Sequence, residues 1–283
     1  MNRYFRTVTL SFLLLAAISL APAVNGQQRL LAVGGGERSR EMLDRFVAWA
    51  GGPKADILVI TWASGEPEES FAYLKKELAG VSPAAVTNAP IAPIDPEERA
   101  KFVTQLASAT AVFFTGGDQN RIMDVLADKE LLELLRDKYR KGTPFGGTSA
   151  GTAVLSDPMM TGEADLKLID GSQVGTRPGL GLVPGVVFDQ HFLVRQRNNR
   201  LIGLILKNPQ MLGIGIDEDN AVAVEDNRWA EVIGPTHVVF YDGSGQHNAY
   251  RAYVLSAGER FDLKKRKPAR AAKASGVRAG SQK

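Results

Sequence analysis

The 283-residue sequence contains no cysteine. Disulfide bonds, a thiol nucleophile and zinc sites built from cysteine are therefore excluded, whichever compartment the protein occupies. Histidine is also scarce, with three in the whole chain, so a search for a catalytic base has few candidates. We expect neither a metal nor a cofactor. Hydrophobic residues make up 44% of the chain, which is enough to form a sizeable core.

A long apolar segment is missing everywhere except near the N-terminus. The run over residues 10–21 is short for a membrane span and is closed by Pro22. Arg3 and Arg6 precede it, and small residues follow, which is typical of a secretory signal peptide over residues 1–26. We therefore expect an exported protein, periplasmic or secreted, without a stable membrane anchor after cleavage.

Acidic residues are absent from the C-terminal end. Residues 264–283 carry eight lysines and arginines and no acid. Removing these and the two signal arginines from the formal charge of +3 leaves about −7 for residues 27–263. The tail has almost no large apolar residue, so we expect a disordered, solvated appendage rather than a nucleic-acid-binding element.

Apolar runs alternate with helical patterns through the first two thirds of the chain. Runs at 28–33, 56–61 and 111–115 are each followed by apolar residues at helical spacing. This alternation predicts βαβ units and an α/β fold, a mostly parallel sheet with helices on both faces. After about Gly213 the pattern changes to short strands separated by turns, which predicts an antiparallel extension. No repeat or linker divides residues 27–263, so we expect a single domain there.

Residues 145–152 carry the pattern most suggestive of chemistry. Ser149 lies between Gly147 and Gly151 in a G-x-S-x-G motif. Such a motif suits a sharp strand-to-helix turn that displays a nucleophilic hydroxyl, although a glycine-rich turn with a chance serine would look the same. Two more glycine loops, at 34–36 and 116–119, also follow predicted strands. Because ligand sites in parallel sheets lie at the carboxyl ends of the strands, all three loops are candidates for one site.

A serine nucleophile needs a base within hydrogen-bond reach. His191 follows an apolar run and is placed to reach the same edge of the sheet as Ser149. His247 lies in a polar turn and His237 begins a late strand, so a structural role is the better interpretation for both. We therefore choose His191 as the base.

A third group should orient the imidazole and stabilise its charged form. The candidates that we consider between the serine and the histidine are Asp157, Glu163, Asp165 and Asp170. Of these we choose Glu163, with Asp165 as the alternative, because both follow a run that leads away from the nucleophile helix. The backbone amides of Gly117 and Ala150 are our candidates for the oxyanion hole.

Three arginines follow His191 closely, at 195, 197 and 200. Guanidinium groups match carboxylates in bidentate geometry, so Arg195, Arg197 and Arg200 indicate a substrate with carboxylate or carbonyl groups. A solvated helix face is the alternative explanation of this run.

Together these segments resemble the serine peptidase family that contains cyanophycinase and aspartyl dipeptidase. The resemblance covers about residues 29–256 and includes 115–119, 146–151, 189–192 and 215–218. It implies a class I glutamine-amidotransferase-like fold, usually dimeric. It also implies a Ser-His-acid exopeptidase that releases β-aspartyl-arginine dipeptides from poly-aspartate carrying arginine side chains. The residues that it implies for the substrate pocket are Gln119, Asp189, Gln190, Arg195, Arg197, Arg200 and Glu218.

Three alternatives stay open at this point. The scaffold could serve a non-catalytic peptide-binding or cell-surface protein, in which case Ser149 would lie too far from His191 for contact. An α/β-hydrolase esterase shares the G-x-S-x-G motif and the chain order serine, acid, histidine. An aspartyl-dipeptidase-like enzyme would take a different acidic peptide.

Overall fold

The computed structural model describes residues 26–245 and 248–269. The predicted signal peptide up to residue 25, the tail from residue 270, and His247 lie outside the described residues. Within the described ranges, no helix combines the length and apolarity needed to cross a bilayer.

The chain alternates strands and helices up to residue 207 and then continues mainly as strands. The strands β1 to β15 are, in order, Arg29–Val33, Asp56–Ile60, Ala85–Asn88, Ala111–Phe114, Phe145–Thr148, Met159–Met160, Thr176–Arg177, Val186–Asp189, Leu212–Ile216, Ala221–Glu225, Trp229–Ile233, His237–Asp242, Arg251–Ser256, Arg260–Asp262 and Lys267–Pro268. The helices α1 to α7 are, in order, Arg40–Trp49, Pro67–Ala79, Pro96–Ser108, Gln119–Val125, Lys129–Arg140, Ala150–Ala153 and Asn198–Lys207.

Nine strands form the main sheet, in the order β15-β14-β11-β10-β1-β5-β4-β2-β3. The half from β1 to β3 is parallel, whereas β10, β11, β14 and β15 pair antiparallel. In the parallel half, β4 and β5 are buried along their whole length. Continuous apolar runs are what a parallel sheet covered on both faces requires.

Helix starts in the parallel half carry local signals that the sequence makes visible. Asp95 caps α3 in a capping box with Glu98, and Pro96 occupies the first turn. The Ser39 side chain accepts a hydrogen bond from the Met42 amide at the start of α1. These caps fix where each helix leaves its preceding loop, and hence where the loops lie at the sheet edge.

A second sheet of four strands, in the order β13-β12-β9-β8, packs against the first. Strands β8 and β9 are parallel, and β12 and β13 continue antiparallel. The largest core cluster joins side chains of both sheets with those of α3, α5 and α6. A second cluster lies beneath α1 and α2 on the other face of the main sheet, and a third beneath α7 on the outer face of the small sheet.

These observations confirm the predicted α/β class, the mostly parallel sheet and the antiparallel strands of the C-terminal third. Two features differ from the prediction in detail. The strand before His191 belongs to the second sheet, not to the sheet that carries Ser149. The first residues assigned to the tail, 264–269, form a turn and the short strand β15 paired with β14. They are held there because the Arg266 guanidinium reaches the buried carboxylate of Asp242 at 2.8 Å.

Candidate active site

Ser149 follows the central strand β5 and sits in a backbone conformation that few residues adopt. Its φ is 54° and its ψ is −116°. The turn closes so tightly that a Cβ on Gly147 would lie 2.2 Å from the Gly151 carbonyl oxygen. A Cβ on Gly151 would likewise lie 2.2 Å from the Phe114 carbonyl oxygen. Glycine at both positions is therefore a steric requirement, and the strained turn lifts the serine hydroxyl off the backbone. The spacing of the two glycines around Ser149 is thus explained by the geometry of the turn.

His191 follows β8 and brings its imidazole to that hydroxyl. The distance from Ser149 Oγ to His191 Nε2 is 2.7 Å. The His191 amide donates to the Gly34 carbonyl oxygen at 2.7 Å, which ties the histidine loop to the end of β1. A Cβ on Gly35 would lie 2.3 Å from His191 Cε1, so the ring packs directly against the glycine loop. The loop at 34–36 therefore contacts the imidazole and fixes its position.

Glu218 lies on the other side of the imidazole. Its Oε1 is 2.5 Å from His191 Nδ1. The contact arises because β8 and β9 are parallel neighbours, so the residues that follow them emerge at the same edge of the small sheet. The adjacent Asp217 accepts hydrogen bonds from the Leu193 and Val194 amides, each at 3.1 Å, and so fixes the histidine loop to the end of β9.

The environment of His191 favours its neutral form. Burial is the largest influence and lowers the pKa, the hydrogen bond with Glu218 opposes this, and the nearby Arg195 lowers it further. The net pKa lies below the usual value of the imidazole. A neutral ring whose Nδ1–H points to Glu218 leaves Nε2 free to accept a proton from the serine.

The acid predicted from the sequence must be corrected. Glu163 and Asp165 lie in an exposed segment after β6, where the Asp165 carboxylate accepts from the Lys167 amide and the Glu163 carbonyl accepts from the Gly175 amide. Neither contacts His191. Glu218, which we had placed in the substrate pocket, holds that position, because order along the chain does not decide which strand ends meet.

The two amides proposed for the oxyanion hole come from different loops. The Ala150 amide directly follows Ser149 at the start of α6. Gly117 has φ of 133° and packs against the Ala63 carbonyl, while Gly116 approaches Ser149 more closely: a Cβ there would lie 3.3 Å from Ser149 Cβ. Among the described residues, neither the Gly117 nor the Ala150 amide has a backbone acceptor outside regular secondary structure.

Two of the predicted substrate residues form a buried ion pair. Asp189 and Arg200 are 1% and 2% exposed, and the guanidinium binds both carboxylate oxygens, with Arg200 Nε 2.9 Å from Asp189 Oδ2. The pair is enclosed in the protein, so as placed it positions the surrounding loops and offers no free group to a ligand.

Gln190 and Arg197 interact with each other beside this pair. Arg197 Nη1 donates to both the carbonyl oxygen and the Oε1 of Gln190, each at 2.7 Å. Burial and the neighbouring Arg200 lower the pKa of Arg197 to about 10. Gln119 is buried and donates to the Met160 carbonyl at 2.7 Å, whereas Arg195 is exposed. Arg195 is thus the exposed arginine of the run, whereas Arg197 is mostly buried and paired with Gln190.

A cleft of about 520 Å³ opens at Ser149 and His191. Gly35 and Gly36 of the glycine loop form one side, and the first turns of α2 form another. Its remaining lining residues are Arg38, Ser64, Glu66, Glu69, Ser70, Tyr73, Leu74, Thr115, Gly116 and Thr148. The α2 side of this cleft was not singled out by the sequence, which offers no motif there.

The other histidine inside the described residues is remote from this arrangement. His237 is exposed at the start of β12. Of the acids, Glu218 could have been found from the sequence, because it directly follows the strand predicted over residues 212–217. No group of three or more potential metal ligands is found in the described part of the chain.

Comparisons with known proteins agree on one family. A model of peptidase family S51 matches residues 30–232. The chain is 35% identical to a cyanophycinase from Nostoc sp. strain PCC 7120 over 257 residues, covering 84% of this chain and 86% of that protein. It is 33% identical to a cyanophycinase from Geminocystis herdmanii over 267 residues, covering 84% and 95%. A crystal structure of a peptidase from an acI-B1 Actinobacterium shares the fold, with a TM-score of 0.64, 23% identity and coverage of 84% of this chain and 97% of that one.

Proposed function

Because the chain belongs to peptidase family S51 and is a cyanophycinase-like serine peptidase, we propose that Ser149, His191 and Glu218 hydrolyse the amide bonds of its substrate. The observation that carries this proposal is the continuous chain of contacts, 2.7 Å from Ser149 Oγ to His191 Nε2 and 2.5 Å from His191 Nδ1 to Glu218 Oε1. A non-catalytic protein on this scaffold would have no need of this alignment, and family membership disfavours an α/β-hydrolase esterase.

The first half of the reaction forms an acyl-enzyme. Ser149 Oγ attacks the carbonyl carbon of the scissile amide while His191 Nε2 takes the hydroxyl proton. The imidazolium that forms is stabilised by the carboxylate of Glu218. The amides of Gly117 and Ala150 donate to the oxyanion of the tetrahedral intermediate. When the C–N bond breaks, the leaving amine takes the proton from Nε2.

The second half restores the enzyme. A water molecule gives a proton to the neutral His191 and attacks the ester carbonyl, and the bond to Ser149 Oγ breaks as that oxygen recovers a proton from the imidazolium. The strained serine turn and the contacts of His191 with Gly34 and Gly35 keep Ser149 Oγ and His191 Nε2 at hydrogen-bond distance. This preorganisation reduces the reorganisation needed to reach the transition state.

We propose a cyanophycin-type substrate, cleaved to β-aspartyl-arginine dipeptides. The similarity to two cyanophycinases over most of both chains supports this substrate. Arg195 and Arg197 supply the positive charge that aspartate carboxylates would meet. The buried pair Asp189–Arg200 holds the segment from which Gln190 and Arg197 project, and Gln119 holds the adjoining Met160 segment.

We further propose that residues 1–26 direct export and that the mature enzyme is a homodimer without a membrane anchor. Charged and apolar segments at the N-terminus support export. Exposed apolar side chains at Leu168, Ile169, Leu193 and Val194 are 42–58% accessible and are of the kind that a second copy could cover. Fractionation of an expressing bacterium and light scattering of the purified protein would test the two proposals separately.

The decisive experiment incubates purified protein with cyanophycin and identifies the products by mass. We expect β-aspartyl-arginine from the wild type, and a loss of about 10⁴-fold or more in kcat for Ser149→Ala. Ser156→Ala, a serine outside the cleft, is a poor control because its hydroxyl bonds the Phe188 amide in the core. Ser82→Ala is better, since Ser82 lies in an exposed turn after α2. Full activity in Ser149→Ala would overturn the mechanism.

A further inference from the structure

The side of the catalytic cleft formed by α2 carries charge that the mechanism does not use. Glu66 and Glu69 line the cleft from the first turn of α2, and both are exposed. Among the described residues, no lysine, arginine or histidine nitrogen lies within 4.0 Å of either carboxylate. Two carboxylates beside a nucleophile are therefore free to meet a cation.

Among the described residues, Arg38 is the one lysine or arginine that lines this cleft, and it is already paired. Arg38 Nε contacts Glu77 Oε2 at 2.6 Å, and the side chains are 7% and 15% exposed. The Arg38 guanidinium also lies over the Tyr73 ring, 5.4 Å from its centroid. The charges of Arg38 and Glu77 neutralise each other. Glu66 and Glu69 therefore make this side of the cleft negatively charged.

A second, independent feature of the same cleft points to a polar ligand. Thr115, 2% exposed, lines the cleft, and its buried Oγ1 has no hydrogen-bond partner among the described residues. A buried hydroxyl left unpaired costs about 1–3 kcal/mol, and a bound polar group could remove that cost. Thr115 precedes Gly116, which adjoins Ser149. The unpaired hydroxyl and the free carboxylates thus belong to one cavity that begins at the nucleophile.

The arginines that follow His191 lie outside this cavity. Arg195 is close enough to His191 to lower its pKa, yet neither Arg195 nor Arg197 lines the α2 side of the cleft. The two regions that adjoin Ser149 and His191 therefore carry opposite charge. A substrate unit that bears both a carboxylate and a guanidinium matches this separation.

We propose that Glu66 and Glu69 form a subsite for the guanidinium group of a substrate unit next to the scissile bond. This inference rests on the proposed function and adds a specificity determinant to it. A guanidinium presents several N–H donors and matches carboxylates closely. Tyr73, 48% exposed, lines the same cleft, and Arg38 already lies over its ring.

The test separates the subsite from the chemistry. With cyanophycin as substrate, Glu66→Gln combined with Glu69→Gln should raise KM by about fivefold and leave kcat within about twofold, as expected for exposed ion pairs. Glu68→Gln is the matched control, because Glu68 is an exposed acid in the same helical turn that does not line the cleft. An unchanged KM in the double variant, or an equal rise in KM in Glu68→Gln, would overturn the subsite. The proposed function would still stand in that case if the wild type hydrolyses cyanophycin.

A binding experiment covers the case in which no hydrolysis occurs. Ser149→Ala protein is titrated with β-aspartyl-arginine and with β-aspartyl-citrulline, whose side chain has the same shape and no charge. We expect the arginine dipeptide to bind about fivefold more tightly, and this preference to disappear when Glu66→Gln and Glu69→Gln are added. Equal binding of both dipeptides to the Ser149→Ala protein, or a preference that survives the two substitutions, would refute the subsite whatever the enzyme cleaves.

Discussion

In the proposed mechanism, Glu218 is the residue on which the chemistry of His191 most depends. In that mechanism its carboxylate accepts from Nδ1–H, which selects the tautomer whose unprotonated Nε2 faces Ser149. The carboxylate is partly exposed, with 39% of its side chain accessible, so its role is to orient the ring and stabilise its charge rather than to add stability to the fold.

Glu218→Gln should therefore impair catalysis far more than folding. The amide has nearly the same shape but can present a donor to Nδ1, which stabilises the wrong tautomer, and we expect kcat to fall by about 10²–10⁴-fold with little change in thermal midpoint. Glu163→Gln serves as the control and should retain activity within about twofold. Steady-state kinetics on cyanophycin checks both, and a greater loss in Glu163→Gln would restore the acid chosen from the sequence.

We expect the lowered pKa of His191 to determine the pH at which kcat/KM declines in acid. Because the folded enzyme keeps the ring neutral, kcat/KM should decline only below the ordinary imidazole value of about 6.5. Arg195→Gln removes a cation that lowers this pKa, so the limb should move to higher pH. A limb that stays in place in Arg195→Gln would contradict the electrostatic influence of that arginine.

The lowered pKa of His191 also determines how the free energy of unfolding changes with pH. The unfolded chain binds a proton at His191 at higher pH than the folded chain does, so the contribution of this group to the free energy of unfolding is present above about pH 6.5. It is lost as the pH falls through the lower, folded value. Protonation of this one ring therefore opposes folding in acid.

At the scale of elements, the glycine loop after β1 supports the imidazole. Gly35 has φ of 120°, and its missing side chain leaves the space that the His191 ring occupies. The loop also receives hydrogen bonds from the segments that follow β8 and β9: the His191 amide donates to Gly34 and the Asp219 amide to Gly35. The loop thus links the main sheet to both strand ends of the small sheet.

Gly35→Ala should consequently displace the imidazole. We expect kcat to fall by about 10²-fold or more, since a displacement of about 1 Å is sufficient for such a loss. Gly258→Ala is a suitable control for backbone strain, because Gly258 also has positive φ, 80°, but a Cβ there would meet nothing within 4 Å. Equal loss of kcat in both variants would indicate that strain, and not contact with His191, is responsible.

At the scale of the whole molecule, the end of the described chain stabilises the junction of the two sheets. Arg266, in the turn between β14 of the main sheet and β15, reaches Asp242 at the end of β12 in the small sheet. The Asp242 side chain is 1% exposed, and its pKa is lowered overall: burial, the largest influence, raises it, but hydrogen bonds from Ser244 and Arg266 outweigh that.

Arg266→Ala should lower the free energy of unfolding by about 1–3 kcal/mol, because it leaves a buried carboxylate with fewer partners. For a domain of this size each kcal/mol corresponds to about 2–4 °C in the thermal midpoint. Lys265→Ala, a change at an exposed neighbour, should have no measurable effect. Calorimetry of the two variants measures their thermal midpoints. Equal midpoints in Arg266→Ala and Lys265→Ala would show that this turn does not contribute to the stability of the folded unit.

The sequence was most informative where local geometry limits the choice of residue. A tight turn after a buried strand requires glycine around the serine, and Ser149 is found there; the apolar run before His191 likewise marks a strand end. Alternating apolar runs and helical patterns were enough to predict the parallel half of the sheet, because such patterns reflect burial on both faces.

The sequence by itself determined the α/β class, the serine turn and the histidine strand end, since each depends on the period of burial or on the space around a few neighbouring residues. Only the tertiary structure decided that β8 and β9 form a second sheet, that Glu218 rather than Glu163 meets His191, and that Asp189 and Arg200 are enclosed. The physical reason is that strand pairing is set by the fit of whole faces in the core. Residues far apart in the chain are thereby brought together, and no local sequence pattern predicts which of them will meet.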